Sequence, residues 1–540
     1  MALAITTACV PLLIRWAPRL GLTDQPGHRK VHAVAVPRVG GIAMAAGILI
    51  PCLLLPLSGP VLGLLAGLAV LLVFGVWDDR ADLDYRLKFV GQILAVTLCM
   101  WLGGVRIETL TLDAPMELPR LLSWCLTFVF LVGVTNALNL ADGLDGLAGG
   151  LAFLSLCAIA VLGVMIGNYT VATAALIESG AILGFLRFNT HPARIFMGDG
   201  GSQMLGFSVG VLAIMVTQGE GSALSDSLPL LLLGLPIVDT LNVMVRRALA
   251  GRSPFVGDRS HLHHHLLELG FTHHEAVALI YCIQVMLFLL AYFLRFQSDA
   301  LIVLTFAVFA AVLLGSLALA ARSGWRAHGG RVVADAASRE RRVLNPALRI
   351  AVTRFASWTM SAGMLLYAAI VIASARNIGR DISLLSAAML LLLFALTRFS
   401  SAAPLTLFER LPAYLSVILM VYLDQTSAAR APATAWLPTA VIGVIAAAAL
   451  LRFAFSERRL EVTALDVLVV FVALVVPNLP GFIPLPTALP AGLVKAVVLL
   501  YVVEMIESMS IRRAVPRAVV AAMLGAIALR GLALLMFQVN

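Results

Sequence analysis

The chain has 540 residues, 61% of them hydrophobic and only 12% charged, with a formal net charge of +9 and a mean hydropathy of +0.98. Soluble chains carry about 25% charged residues, so a soluble enzyme, a disordered chain and a disulfide-stapled secreted domain are all excluded. Solid apolar runs, without period-two alternation, predict an all-α polytopic transmembrane bundle and argue against a barrel.

At roughly 20 residues per crossing the sequence predicts about 18 spans. About eleven of them lie in residues 1–322, followed by a basic linker at 323–354 and a C-terminal multi-span domain of about seven at 355–540. Six cysteines fall in or beside apolar runs without CxxC spacing, which excludes a cysteine metal framework. The first run has no basic segment before it, whereas Arg15 and Arg19 follow it. It reads as a retained helix entering from outside.

The first inner loop, Asp24-Gln25-Pro26-Gly27-His28-Arg29-Lys30-Val31-His32, leads through Pro37 and Arg38 to Gly40-Gly41. A solvated cationic loop explains it as well as phosphate contact does; His32 is its substrate-binding candidate. Alternate loops then collect Arg80, Arg86 and Lys88, Arg187 and Arg194, and Arg246, Arg247, Arg252 and Arg259, against Arg106, Arg120 and Arg295 in the intervening ones. The positive-inside rule therefore places these clusters in the cytoplasm. Except for His328, every histidine falls in the same inner loops of the first half.

After the span at Val61 comes Gly75-Val76-Trp77-Asp78-Asp79-Arg80-Ala81-Asp82-Leu83-Asp84-Tyr85-Arg86-Leu87-Lys88. Carboxylates crowded at the water boundary are costly unless a cation or phosphate uses them. Adjacent Asp78 and Asp79 point about 100° apart on a helix and so take different jobs. Next, Asn136, Asn139 and Asp142 of NALNLADGLDGLAGG are three apart and share a helical face, with Asp145 after them. In Phe196-Met197-Gly198-Asp199-Gly200-Gly201-Ser202 an Asp stands open between glycines, and Ser202 is placed to cap the following helix. Finally Asp239, the main ionisable group away from a span end, precedes Gly251-Arg252-Ser253-Pro254 and Asp258-Arg259-Ser260-His261-Leu262-His263-His264-His265. Only His261 shares a face with His264 or His265, and no HExxH is present. Contact with an anionic substrate therefore outweighs zinc.

Separate carboxylates, cations and histidines on one side suit a hard-oxygen Mg²⁺ or Mn²⁺ site. They also suit phosphoryl transfer between a soluble polyphosphate and a lipid-borne acceptor. No Walker or kinase signature occurs. A transporter of lipid-linked sugars would place its ionisable residues at mid-span, which this sequence does not favour.

The order DDRADLD, NALNLADGLDGLAGG, FMGDGGS and GRSPFVGDRSHLHHHLLELGFT resembles the polyprenyl-phosphate N-acetylhexosamine-1-phosphate transferases, over roughly residues 1–322. The histidine segment is nearer the WecA and TagO branch than the MraY branch. The resemblance implies transfer of a sugar-1-phosphate, GlcNAc-1-phosphate before MurNAc-pentapeptide or deoxy-sugar relatives, from a UDP-N-acetylhexosamine to undecaprenyl phosphate. UMP is released and a lipid-linked envelope glycan is begun. It implies Mg²⁺ or Mn²⁺, a multi-pass place in the bacterial inner membrane with the site facing the cytoplasm, and no nucleic acid; a homodimer is left open. By the same resemblance Asp78, Asp79 and Asp82 are catalytic, and Asp199 and Asp142 hold metal. Lys88, Asn136, Asn139, Asp145, Arg252, His32, His261, His263 and His264 bind substrate. His265 departs from the branch's usual apolar residue, and Arg38 after Pro37 departs in the first loop.

Overall fold

A computed structural model describes the chain apart from residues 25–34, 112–114, 220, 250, 252–260, 328–345, 376–377, 400–405, 427–435, 456–467, 469–470, 472–487, 510–513 and 539–540. His32 and Arg252 lie outside the described residues. Two compact units divide the chain. One comprises Met1–Asp335 with Val462–Leu468, and the other Ala336–Glu461 with Val469–Asn540.

The first unit contains α1 (Ala2–Leu20), α2 (Gly40–Cys52), α3 (Gly59–Ala81), α4 (Tyr85–Gly103), α5 (Arg120–Ala141), α6 (Leu147–Met165), α7 (Tyr169–Asn189) and α8 (Gly198–Thr217). There follow α9 (Pro229–Leu232), α10 (Gly234–Leu249), α11 (Leu262–Glu268), α12 (His273–Leu294) and α13 (Asp299–Arg322). Nine of these are long and apolar enough to span a membrane, while α2 is shorter. Arg15 and Arg19, expected in a loop, continue α1, and His273 and His274 form the first turn of α12. That turn is fixed by a reciprocal capping box between Thr272 and Glu275, which satisfies donors the helix start would otherwise leave open.

α8 is the hub, packed against α2, α3, α5 and α6 and buried on nearly every side. A helix apolar all round belongs inside a bundle. Glycines permit the contact: a Cβ on Gly75 of α3 would stand 2.0 Å from the Gly200 Cα, and one on Gly206 2.9 Å from the Thr135 Cα. Small residues that let backbones touch are the means of helix association where water is absent. Polar glue adds register. Gln92 of α4 donates to Asn136 of α5 at 3.2 Å and to Gln203 of α8 at 3.1 Å. Glu178, fully buried in mid-α7, accepts from Ser208 of α8, an ionisable group at mid-span that the sequence pattern did not single out.

At the end of α8 away from Asp199, Gln218 and Asp226 tie down a hairpin of β1 (Thr109–Thr111) and β2 (Pro115–Glu117). Asp299, opening α13, accepts from the Ser227 N–H at 2.8 Å and also from Ser225 and the Thr111 N–H.

The second unit holds helices Pro346–Ser374, Arg380–Phe399, Thr406–Thr426, Leu437–Ala454, Ala488–Met509 and Ala514–Gln538. The first of these runs through the expected boundary at 354/355. Of the roughly seven spans expected there, two are long apolar helices among the described residues, and part of the remaining sequence lies outside them. Met360, Tyr367, Val417, Met420, Leu499 and Ile527 belong to its core. Within that core Asp424 accepts from Lys495 Nζ at 2.7 Å and from Tyr367 Oη at 3.1 Å.

Candidate active site

The Gly75–Gly200 contact brings the last turn of α3 against the first turn of α8, so the paired acids meet the Gly-Asp-Gly motif. Asp78, buried, forms an ion pair with Lys88 Nζ at 2.7 Å and accepts from the Leu83 N–H at 2.8 Å. The same Lys88 Nζ lies 2.9 Å from Asp199 Oδ2, bridging two acids 121 residues apart. Asp79 turns the other way and accepts from the Asp199 N–H at 3.0 Å and the Gly200 N–H at 3.4 Å. These are donors that an α-helix cannot satisfy internally. The adjacent acids thus do different work, as their angular separation predicts: one holds the lysine, the other caps α8 from outside.

Two expectations need correction, and Asp82 stands apart from the cluster. Ser202 does not cap α8; it lies inside the helix, donates to the Gly198 carbonyl at 3.2 Å and accepts from Asn139 Nδ2 at 2.8 Å. Asn136 is bound into the Gln92–Gln203 cluster between helices, whereas Asn139 reaches Asp199 Oδ1 at 3.4 Å. The two asparagines therefore serve different neighbours, and Asp142 lies past the helix as its C-cap. Asp82 is exposed at the C-cap of α3 with left-handed φ of 49°. Among the described residues it takes no part in the Asp78–Lys88–Asp199 chain.

Asp142 reaches the surface, yet burial of its carboxyl first, and then the charges of Asp199, Asp145 and Asp79, push it up to about 7. Asp142 and Asp199 offer oxygen donors alone, the donor type that suits Mg²⁺ or Mn²⁺.

The histidine segment is anchored from α10. Asp239 Oδ2 lies 3.0 Å from His261 Nδ1, and Asp239 Oδ1 accepts from the Leu262 N–H at 2.7 Å. His263 is buried, and burial first, then His264, push it down to about 3. Its ring fills the space beside Gly143, where a Cβ would come within 2.2 Å of Nε2. That contact joins the segment to the Asp142 loop. The His264 ring lies 4.2 Å from that of His263, and His265 Nε2 lies 3.0 Å from the Arg246 guanidinium. Asp145 pairs with His191 Nδ1 at 2.7 Å. Sequence reasoning missed Gln92, Gln203, His191 and His273; the signal for His191 was its place just before the FMGDGG motif.

A family model described as Glycosyl transferase family 4 matches residues 61–217. A Bacillus subtilis protein named as a probable undecaprenyl-phosphate N-acetylglucosaminyl 1-phosphate transferase is 35% identical over 277 residues, covering 51% of this chain and 77% of that protein. A Mycolicibacterium smegmatis decaprenyl-phosphate N-acetylglucosaminephosphotransferase is 36% identical over 49% of this chain and 73% of its own length. An undecaprenyl-phosphate alpha-N-acetylglucosaminyl 1-phosphate transferase of Salmonella typhi is 33% identical over 51% and 77% respectively.

Proposed function

Because the chain belongs to glycosyl transferase family 4, we propose that it transfers GlcNAc-1-phosphate from UDP-GlcNAc to undecaprenyl phosphate, at the cytoplasmic face of a bacterial inner membrane. UMP leaves, and the polyprenyl-diphosphate sugar starts an envelope glycan. The observation that carries this reading is the convergence of Asp78, Lys88, Asp79 and Asp199 on one end of the bundle, beside the Asp142 loop and the histidine segment.

In the reaction an oxygen of the lipid phosphate forms a bond to the β-phosphorus of the UDP-sugar, and the bond from that phosphorus to the UMP oxygen breaks. A phosphate monoester with a second pKa of about 6 is mostly dianionic at neutral pH. Asp78 therefore needs to accept only the residual proton, and its bond from the Leu83 N–H keeps one oxygen in place. Lys88 offers an ammonium, held in the first turn of α4 by two carboxylates, to the acceptor phosphate. Asp79 fixes the α8 N-terminus and so the direction of Asp199. Asn139 steadies the same carboxylate from α5. Mg²⁺ or Mn²⁺, held by Asp199 and Asp142, would supply charge neutralisation for the diphosphate. His261, His263 and His264 form the wall toward the sugar nucleotide.

Purified protein given undecaprenyl phosphate, Mg²⁺ and a panel of UDP-N-acetylhexosamines is expected to release UMP fastest with UDP-GlcNAc. Release with a different sugar alone would replace the donor, and no release with any donor would refute the reading.

A further inference from the structure

Away from the acids around Asp199, a second group of side chains gathers where the loop before α6, the loop before α8 and the start of α12 meet. Asp145, His191 and His273 are each partly buried, and one donor atom from each lies within 4.8 Å of the others. Their internal bonds have a particular pattern. Asp145 Oδ2 lies 2.7 Å from His191 Nδ1 and accepts from the Ala193 N–H at 3.0 Å. The Asp145 carbonyl lies 3.2 Å from His273 Nε2. The rings of His191 and His273 stack with centroids 4.1 Å apart and planes 22° apart, and the His274 ring meets His191 edge-on at 5.3 Å.

A neutral imidazole carries its proton on one nitrogen, and the other is a lone-pair donor. The nitrogens that face Asp145 are His191 Nδ1 and His273 Nε2. With the protons on the outer nitrogens, both lone pairs are turned toward Asp145. An ion entering there exchanges the His191–Asp145 hydrogen bond for bonds to both partners, and Asp145 keeps a second oxygen, since both of its side-chain bonds above use Oδ2.

We propose that Asp145, His191 and His273 form a binding site for a late first-row divalent ion of the Zn²⁺ type, separate from the hard-oxygen site at Asp199. Mixed imidazole and carboxylate donors suit Zn²⁺, whereas Mg²⁺ takes oxygen alone. Zn–N bonds of about 2.0–2.1 Å put neighbouring donors of a tetrahedral site roughly 3.3 Å apart, which side-chain rotation reaches from the observed spread. Three protein ligands leave a fourth position for water. The bound ion clips the α5–α6 loop, the α7–α8 loop and α12 together beside the sugar-nucleotide side of the bundle.

The test does not depend on the transferase reading, because it measures binding of Zn²⁺ alone. Metal-stripped, tag-free full-length protein is titrated with Zn²⁺ against a chromophoric chelator, and with Co²⁺ for its visible spectrum. One Zn²⁺ is expected to bind, and His191→Gln and His273→Gln each weaken it by about tenfold or more. His264→Gln and Asp199→Asn, which alter the other histidine and acid groups, leave it in place. No binding by the wild type, or binding unchanged by both His191→Gln and His273→Gln, would show that the trio is only a hydrogen-bonded staple. A readout that needs no variant is histidine acylation by diethylpyrocarbonate followed by mass spectrometry. Zn²⁺ should protect His191 and His273 in the wild type, and equal labelling with and without Zn²⁺ overturns the proposal.

Discussion

Gly75→Ala tests whether helix contact builds the site. A methyl on Gly75 would stand 2.0 Å from the Gly200 Cα and 2.7 Å from its nitrogen, whereas carbon atoms in contact sit about 3.5–4.0 Å apart. α3 and α8 must therefore separate by roughly 1.5 Å, since neither obstacle is a flexible side chain. Such overpacking costs about 1–3 kcal/mol. The bonds from Asp79 to the Asp199 and Gly200 N–H groups, now 3.0 and 3.4 Å, would stretch out of range, at a further cost of about 1 kcal/mol. Turnover suffers more than stability, because a 1 Å misplacement of reacting groups costs about 100-fold. The assay is UMP release and thermal unfolding in one detergent, with Gly133→Ala as the control: a Cβ there meets nothing within 4 Å. Wild-type rate and stability in Gly75→Ala would refute the claim that this contact places Asp79 and Asp199.

Asp79→Ala should destabilise the fold by about 1–2 kcal/mol as a lost helix cap, while Asp79→Asn, which keeps one acceptor, retains most of the unfolding temperature. Lys88→Met leaves Asp78 buried without its cation, so both turnover and stability should fall; rescue of turnover by Lys88→Arg would locate the role in charge alone. Asp239→Asn removes a charged acceptor from His261 and should cost about 1.5–3 kcal/mol, with a raised KM for the nucleotide sugar as its kinetic sign. His263, pushed down to about 3 from about 6.5, binds its proton more readily in the unfolded chain. Its contribution is complete above pH ~6.5 and is lost as pH falls, by about 1.4 kcal/mol at pH ~5.5. Thermal unfolding of wild type and His263→Gln across that range should diverge by this amount, and parallel curves would exclude it.

Motif order alone pointed to the neighbourhood of Asp78, Asp79, Lys88, Asp142 and Asp199, because charged residues are expensive at a membrane boundary and so stand out. Helical geometry foretold that Asp78 and Asp79 diverge. What each one binds was not legible, since Lys88 Nζ meets Asp199 only after α3, α4 and α8 have packed. Asn136 looked identical to Asn139 by spacing, and only the location of Gln92 and Gln203 on neighbouring helices separates them. Ser202 misled for a related reason. Local rules put caps on the adjacent chain, whereas α8 is capped by a residue 120 positions away. Glu178 was hidden in an apolar run, where one acid leaves hydropathy almost unchanged.

The burial of α8 has a mechanical meaning. Its span is 94% buried, against 17% for α1 and 11% for α13, so contact with surrounding acyl chains falls on peripheral helices. A thicker or thinner host bilayer is accommodated by tilt of lipid-facing segments, at fractions of a kcal/mol per Å. The innermost rod, pinned by Asp79 at one tip and by the Gln218 bonds to Thr109 and Asp226 at the other, keeps its axial position. Asp199 thus rides on a rod held by protein, whereas Asp78, Asp79 and Lys88 stand on α3 and α4, spans 44% and 39% buried, so tilt of the rim reaches the site through these two helices.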